Sequence, residues 1–375
     1  MLMRRVVILL AMAIFYMIIN LNIPASVKFF AAVVELGVVG EWLRKEYKFD
    51  GEYGLFLIKS RKGINKINEV ALRYERILKF FADVSVAVAF GLASFLIINW
   101  RPAKERAAIV ALGFFVMLLI SLFVSPYALD VILSTVGIKG IEETFTGEVN
   151  LVYPVMLFLS GFCGFISYSL LAHGVTVVSA LYTMLTTGFQ QEVHEGATLL
   201  LPGINLPFLE GILALALILV VHEGAHGLLT RIARVRLLSS GLVFFGFIPV
   251  GAFVEPDEKH LAQRSIKEQE RVLAAGTGAN FFASILLLLI FLALVFLTSD
   301  FYKEGVVWFG FLQFIYRFLG LAFALNFVVA VVNLLPVPFF DGYRMLELVV
   351  GKKIAQPLSI ALLIALILNF LPAIF

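Results

Sequence analysis

The sequence predicts an all-α polytopic membrane protein of about eight or nine transmembrane helices, with a small β-strand or re-entrant element in its second half. Three observations carry that reading. Of 375 residues, 61% are hydrophobic and only 15% charged, against about 45–50% apolar and about 25% charged in soluble domains. Several runs reach the roughly 20 apolar residues that a helix needs to cross a hydrocarbon core of about 30 Å. One stretch, 237–254, instead mixes β-branched and aromatic residues with Gly241, Gly246 and Gly251, which is a strand pattern. A soluble enzyme built on one large core is excluded. The net charge of +3 is too small to argue for a nucleic-acid partner. The single cysteine, Cys163, lies in an apolar run, so it offers no intramolecular disulfide and no cysteine-based zinc site.

The elements follow in order. Residues 1–24 form a first hydrophobic span or signal anchor, opening after Arg4 and Arg5; the run is longer than a usual signal core, which favours a retained span. Residues 25–81 are the most polar part and read as an extramembrane or interfacial segment without a recognisable motif. An amino-terminal membrane region, 82–205, holds spans at about 82–100, 107–125, 151–171 and 173–188. A core at 206–345 holds spans at about 206–230, 272–298 and 311–334, and 346–375 supplies a last span at about 354–374.

Loop charge tests this count. With the amino terminus in the cytosol, the loops bearing Arg101, Lys104 and Arg106, then Arg231, Arg234 and Arg236, then Arg344, Lys352 and Lys353 all fall inside, as basic loops should. The acidic loops around Asp130–Glu148 and Glu192–Glu195 fall outside. One loop disagrees, because the basic 25–81 segment also falls outside.

Chemistry concentrates in His222-Glu223-Gly224-Ala225-His226, inside an apolar run that begins after Pro207. Residues four apart share a helix face, so both imidazoles can point at one metal while Glu223 reaches its open side. Ionisable groups at this depth are costly unless something offsets them, and a divalent cation does. The bland alternative is a pair of buried histidines bonded to neighbouring helices. A near-copy, Val193-His194-Glu195-Gly196-Ala197, has Thr198 where the second histidine is needed, so His194 reads as a surface residue. Catalytic zinc takes three protein ligands and leaves a fourth position to water. Asp341 is the candidate third ligand, in Asn333-Leu334-Leu335-Pro336-Val337-Pro338-Phe339-Phe340-Asp341-Gly342. The prolines must end the preceding span and present Asp341 from an extended, turn-like backbone. The bland alternative here is a helix-ending Pro-x-Pro followed by an Asp-Gly turn. His260 and Glu255 are next in line.

H-E-x-x-H in one span and N-x-x-P-x-P-x-x-D-G at the end of a later one resemble the site-2 protease family of intramembrane zinc proteases. Between them, Ala275-Gly276-Thr277-Gly278-Ala279-Asn280 resembles the family's A-G-P-x-x-N segment with Thr277 in place of proline, and Gly251–Pro256 resembles the strand after its catalytic helix. The resemblance covers about 206–345. It implies His222, His226 and Asp341 as zinc ligands and Glu223 as general base. It implies Asn280 and Asn333 as holders of the substrate backbone or oxyanion, against interhelical hydrogen bonding as the alternative. It further implies membrane proteins with a transmembrane helix as substrates, so that the bilayer itself is a partner, while the loop-charge count places both His222 and Asp341 at the cytosolic ends of their spans. A catalytically idle relative that binds membrane segments, and a proton or metal transporter, are the rival readings.

Overall fold

The computed structural model describes residues 2–23, 25–60, 63–135, 152–188, 193, 196–197, 200, 202–203, 205–298 and 309–373. In chain order these form α1 (Leu2–Asn20), α2 (Ala25–Tyr47), β1 (Asp50–Glu52), β2 (Leu55–Ser60), α3 (Ile64–Arg73), α4 (Glu75–Phe90), α5 (Ser94–Ile97), α6 (Ala103–Leu119) and α7 (Ser125–Thr135). Then come α8 (Val152–Thr187), α9 (Phe208–Ile232), β3 (Leu237–Phe245), β4 (Ile248–Pro256), α10 (Glu258–Ala262), α11 (Ile266–Thr298), α12 (Phe309–Asn333), α13 (Asp341–Val350) and α14 (Lys352–Phe370). Among the described residues, 7 helical stretches are long and apolar enough to cross a membrane, and α1 adds a shorter apolar helix. The helical membrane fold and its small sheet are as the sequence predicts.

Two of those stretches do not run straight. After α4 the backbone breaks at Gly91 (φ 57) and doubles back through α5, so that Arg101 reaches Asp83, 18 residues earlier, at 2.8 Å. An unbroken helix holds such a pair about 27 Å apart. α8 breaks likewise at Gly161 (φ 63, ψ -163), and the ring of Tyr153 lies 5.9 Å from that of Phe165 and 5.6 Å from that of Tyr168. The boundary expected between 171 and 173 is therefore displaced: the chain stays helical through Gly174 and turns at Gly161 instead. The two breaks meet. A Cβ on Gly91 would lie 2.6 Å from the Gly161 nitrogen, and one on Gly161 2.5 Å from the Gly91 nitrogen, so neither position accepts a side chain.

The sheet has the order β1-β2-β3-β4 with every pairing antiparallel. Gly246 (φ 63) turns the β3–β4 hairpin. Phe247 at its tip meets the ring of Phe15, which packs in turn on Phe208, the first residue of α9. The hairpin thus runs alongside α9 for most of its length, with β4 as the edge strand. Backbone polar groups at this depth need the cover that α1, α2 and α9 give them. β2 pairs with β3 from Leu55↔Phe245 to Ser60↔Ser240, which carries the chain back along the hairpin. Glu75 consequently meets Arg234 at 3.4 Å, at the end of the molecule where α9 finishes. The basic residues from Lys66 to Lys79 therefore lie at the same end of the molecule as Arg231 and Arg234.

The main core joins α4, α6, α8, α9, α11, α12 and α13 through residues such as Val84, Met117, Phe162, Ile218, Phe281, Phe323 and Met345. It fixes α11 between α4 and α9, and that places the site.

Candidate functional site

α9 begins directly after Pro207, whose ring sets its own φ and whose missing N–H is not needed there. Fourteen residues on, His222 and His226 sit one turn apart with ring centroids 4.7 Å from each other. Their Nε2 atoms are 3.1 Å apart, and Asp341 Oδ2 lies 3.3 Å from His222 Nε2 and 3.2 Å from His226 Nε2. Three electron-rich atoms this close repel one another unless a proton or cation lies among them. The triangle they make is the size of one face of a tetrahedron with ligand distances of about 2.0 Å, the zinc–imidazole value. The donor set fits a zinc ion.

Outer groups hold the imidazoles. His226 Nδ1 is 2.7 Å from the Val272 carbonyl, so Nδ1 carries the proton and the Nε2 lone pair faces the cluster. The Asn280 amide lies 3.1 Å from His222 Nδ1, and its Oδ1 is buried without another partner. A half-turn of the amide lets Oδ1 accept from Nδ1–H and fixes the same tautomer on His222. Asn280 on α11 thus bonds across to His222 on α9.

Gly276, on the turn of α11 between Val272 and Asn280, makes the approach possible. A Cβ there would collide with His226 Nε2 and lie 2.7 Å from His222 Nε2. Gly276→Ala is therefore expected to lower zinc stoichiometry by at least half, measured by metal analysis of the purified protein. Full zinc content in that variant would show that α11 can withdraw from the histidines at no cost to the site.

Asp341 arrives from the turn-like backbone expected, with Phe340 before it extended (φ -97, ψ 153). Turn bonds from Leu334 N–H to Val331 O and from Phe340 N–H to Val337 O coil the proline segment, and Asp341 becomes the first residue of α13. A Cβ on the following Gly342 would strike the Leu334 carbonyl, so this glycine lets α13 start against the end of α12.

Glu223, next to His222 on α9, accepts at Oε2 from the Val254 N–H of β4 at 2.9 Å. Gly224 beside it faces open space, part of a largely apolar cavity of about 460 Å³ between α4, α9 and α11, lined by Phe81, Val220, Leu228 and Phe282. Asn333, the last residue of α12, is half-buried and makes no side-chain hydrogen bond among the described residues. Glu255 accepts from the Ser239 hydroxyl and His260 contacts Arg264, so both are engaged away from the cluster. His194 and Thr198 lie outside the described residues. Val272 and Val254 act through backbone atoms, which no side-chain pattern announces. Gly276 could have been found from its glycine-rich setting.

Residues 210–371 match peptidase family M50, which bears out the resemblance to the site-2 protease family and extends it through α14. An uncharacterized protein of Methanocaldococcus jannaschii is 27% identical over 145 residues, covering 38% of this chain and 38% of the relative. No solved structure matches the chain.

Proposed function

Taking residues 210–371 as a peptidase family M50 core, we propose that the chain is a zinc endopeptidase that hydrolyses peptide bonds in or next to transmembrane segments of membrane proteins. The observation that carries this reading is the His222, His226 and Asp341 triangle, with Glu223 on the same helix. His222, His226 and Asp341 would hold a zinc ion, which would supply Lewis acidity to acidify water and polarise a scissile carbonyl. Glu223 takes the water proton and delivers it to the leaving amine.

A protease cleaves an extended backbone, and β4 is an edge strand whose Val254 N–H faces Glu223. Pairing of an unwound substrate segment along β4 sets its carbonyls beside the base. The apolar cavity at Gly224 suits a segment arriving from lipid, because its walls replace the hydrocarbon the segment leaves. Asn333 is free to take a substrate amide or oxyanion, whereas Asn280 acts through His222. The basic residues clustered where α9 finishes support an active site near the cytosolic end. The intact base separates this reading from that of an idle relative.

Metal analysis and cleavage of a single-span substrate in proteoliposomes test the proposal together. The wild-type chain is expected to hold one zinc and cleave, and His222→Ala to lose both. Cleavage undiminished in His222→Ala would sink it, and so would a wild-type protein that accumulates metal inside vesicles without cutting.

A further inference from the structure

At the end of the molecule where α3 meets α4, an open cavity of about 740 Å³ carries six cationic side chains: Arg73, Arg76, Lys79, Arg101, Lys267 and Arg271. Its acids are Glu75 and Glu105, with Asp83 buried behind the floor. Three carboxylates against six cations leave a surplus of three positive charges.

The pairings show which cations are left over. Arg271 is 4% exposed and gives Nε and Nη2 to Asp83, both at 2.6 Å. Its Nη1 has no protein partner among the described residues. Arg101 is shared between Asp83 and Glu105, and Lys79 takes Glu75 at 2.5 Å. Arg76 and Lys267 have no carboxylate partner among the described residues, and Arg73 has only the ring of Tyr74, 5.4 Å from its guanidinium carbon. Trp100 closes one wall, with the Arg271 guanidinium 5.8 Å from its ring centroid. Like charges gathered around a cavity repel unless an anion enters, and guanidinium donors match phosphate oxygens in geometry as well as charge.

We propose that this cavity binds a phosphate-bearing anion. It is lined on one side by apolar helices of membrane length and bears a tryptophan with clustered arginines and lysines, the mixture found at a lipid headgroup level. Its volume takes a phosphodiester headgroup, and equally a free phosphate compound. The site is separate from the metal cluster yet adjoins its support: Arg271 is followed directly by Val272, whose carbonyl holds His226. The inference does not depend on the peptidase reading.

Calorimetric titration of the full chain in detergent, with dihexanoyl phosphatidylglycerol and separately with inorganic pyrophosphate, is expected to show saturable binding of at least one, and none of dihexanoyl phosphatidylcholine. Saturation by phosphatidylglycerol alone assigns a lipid headgroup, and saturation by pyrophosphate assigns a soluble phosphate compound. Arg76→Gln combined with Lys267→Gln leaves the buried Asp83 pairs intact and should weaken binding by about tenfold or more. Lys352→Gln combined with Lys353→Gln removes the same charge elsewhere and should leave binding unchanged. Absence of saturable binding by both anions overturns the proposal. So does a response to the first double variant no larger than to the second.

Discussion

Replacing Glu223 with glutamine is expected to slow peptide-bond cleavage by about a thousandfold while the protein keeps its zinc. The amide preserves the size of the side chain, and its oxygen can still accept from the Val254 N–H, so β4 should stay in place. It cannot take a proton from water, and removing a positioned base costs about 10²–10⁴ in rate. Initial rates in proteoliposomes, read beside zinc stoichiometry, make the check. Loss of zinc together with activity would make Glu223 a ligand or a structural residue. A rate near wild type would place the base elsewhere.

Asp341→Ala is expected to weaken zinc binding by more than about a hundredfold, since outer groups that only orient ligands already cost 10- to 100-fold, and to remove activity with it. On the proposed reading the carboxylate would supply charge as well as a donor atom: two neutral imidazoles would leave a divalent ion at its full charge, and Asp341 would reduce that to one. Asp341→Asn keeps the shape and loses the charge, so weak residual binding and poor cleavage should follow. Competition with a chelator gives the affinities. Wild-type zinc affinity in Asp341→Ala would show that the 3.2 Å and 3.3 Å contacts to the histidines are incidental.

The histidine pair is legible in the sequence because a helix repeats its faces every three or four residues, so His222 and His226 declare a shared direction without knowledge of the fold. Asp341 is legible for a different reason: Pro336 and Pro338 stop a span, and a chain stopped at that depth has few places to go. The β3–β4 hairpin shows in its β-branched and glycine pattern. β2 does not, because Leu55–Ser60 is six residues long, lies in a polar stretch, and takes its strand form from β3. Gly91 and Gly161 were equally hidden. A lone glycine in an apolar run is compatible with a straight helix, and only the other glycine, 70 positions away, explains why each helix turns where it does. Asp83 and Arg271 are 188 positions apart, so their pairing carries no local signal.

The paired breaks at Gly91 and Gly161 also constrain how the protein can be made. A helix that stops midway leaves backbone groups bare, and lipid offers them nothing to bond with. When the hairpin of α4 and α5 leaves the ribosome, the turn of α8 that will cover it has yet to be synthesised, and Arg271 is later still. The hairpin therefore has no stable resting place in the bilayer as a lone early segment. Its final packing needs both α8, which meets it at Gly161, and α11, which brings Arg271 to Asp83, so the amino-terminal half is expected to reach its finished form only together with the half that carries the histidines.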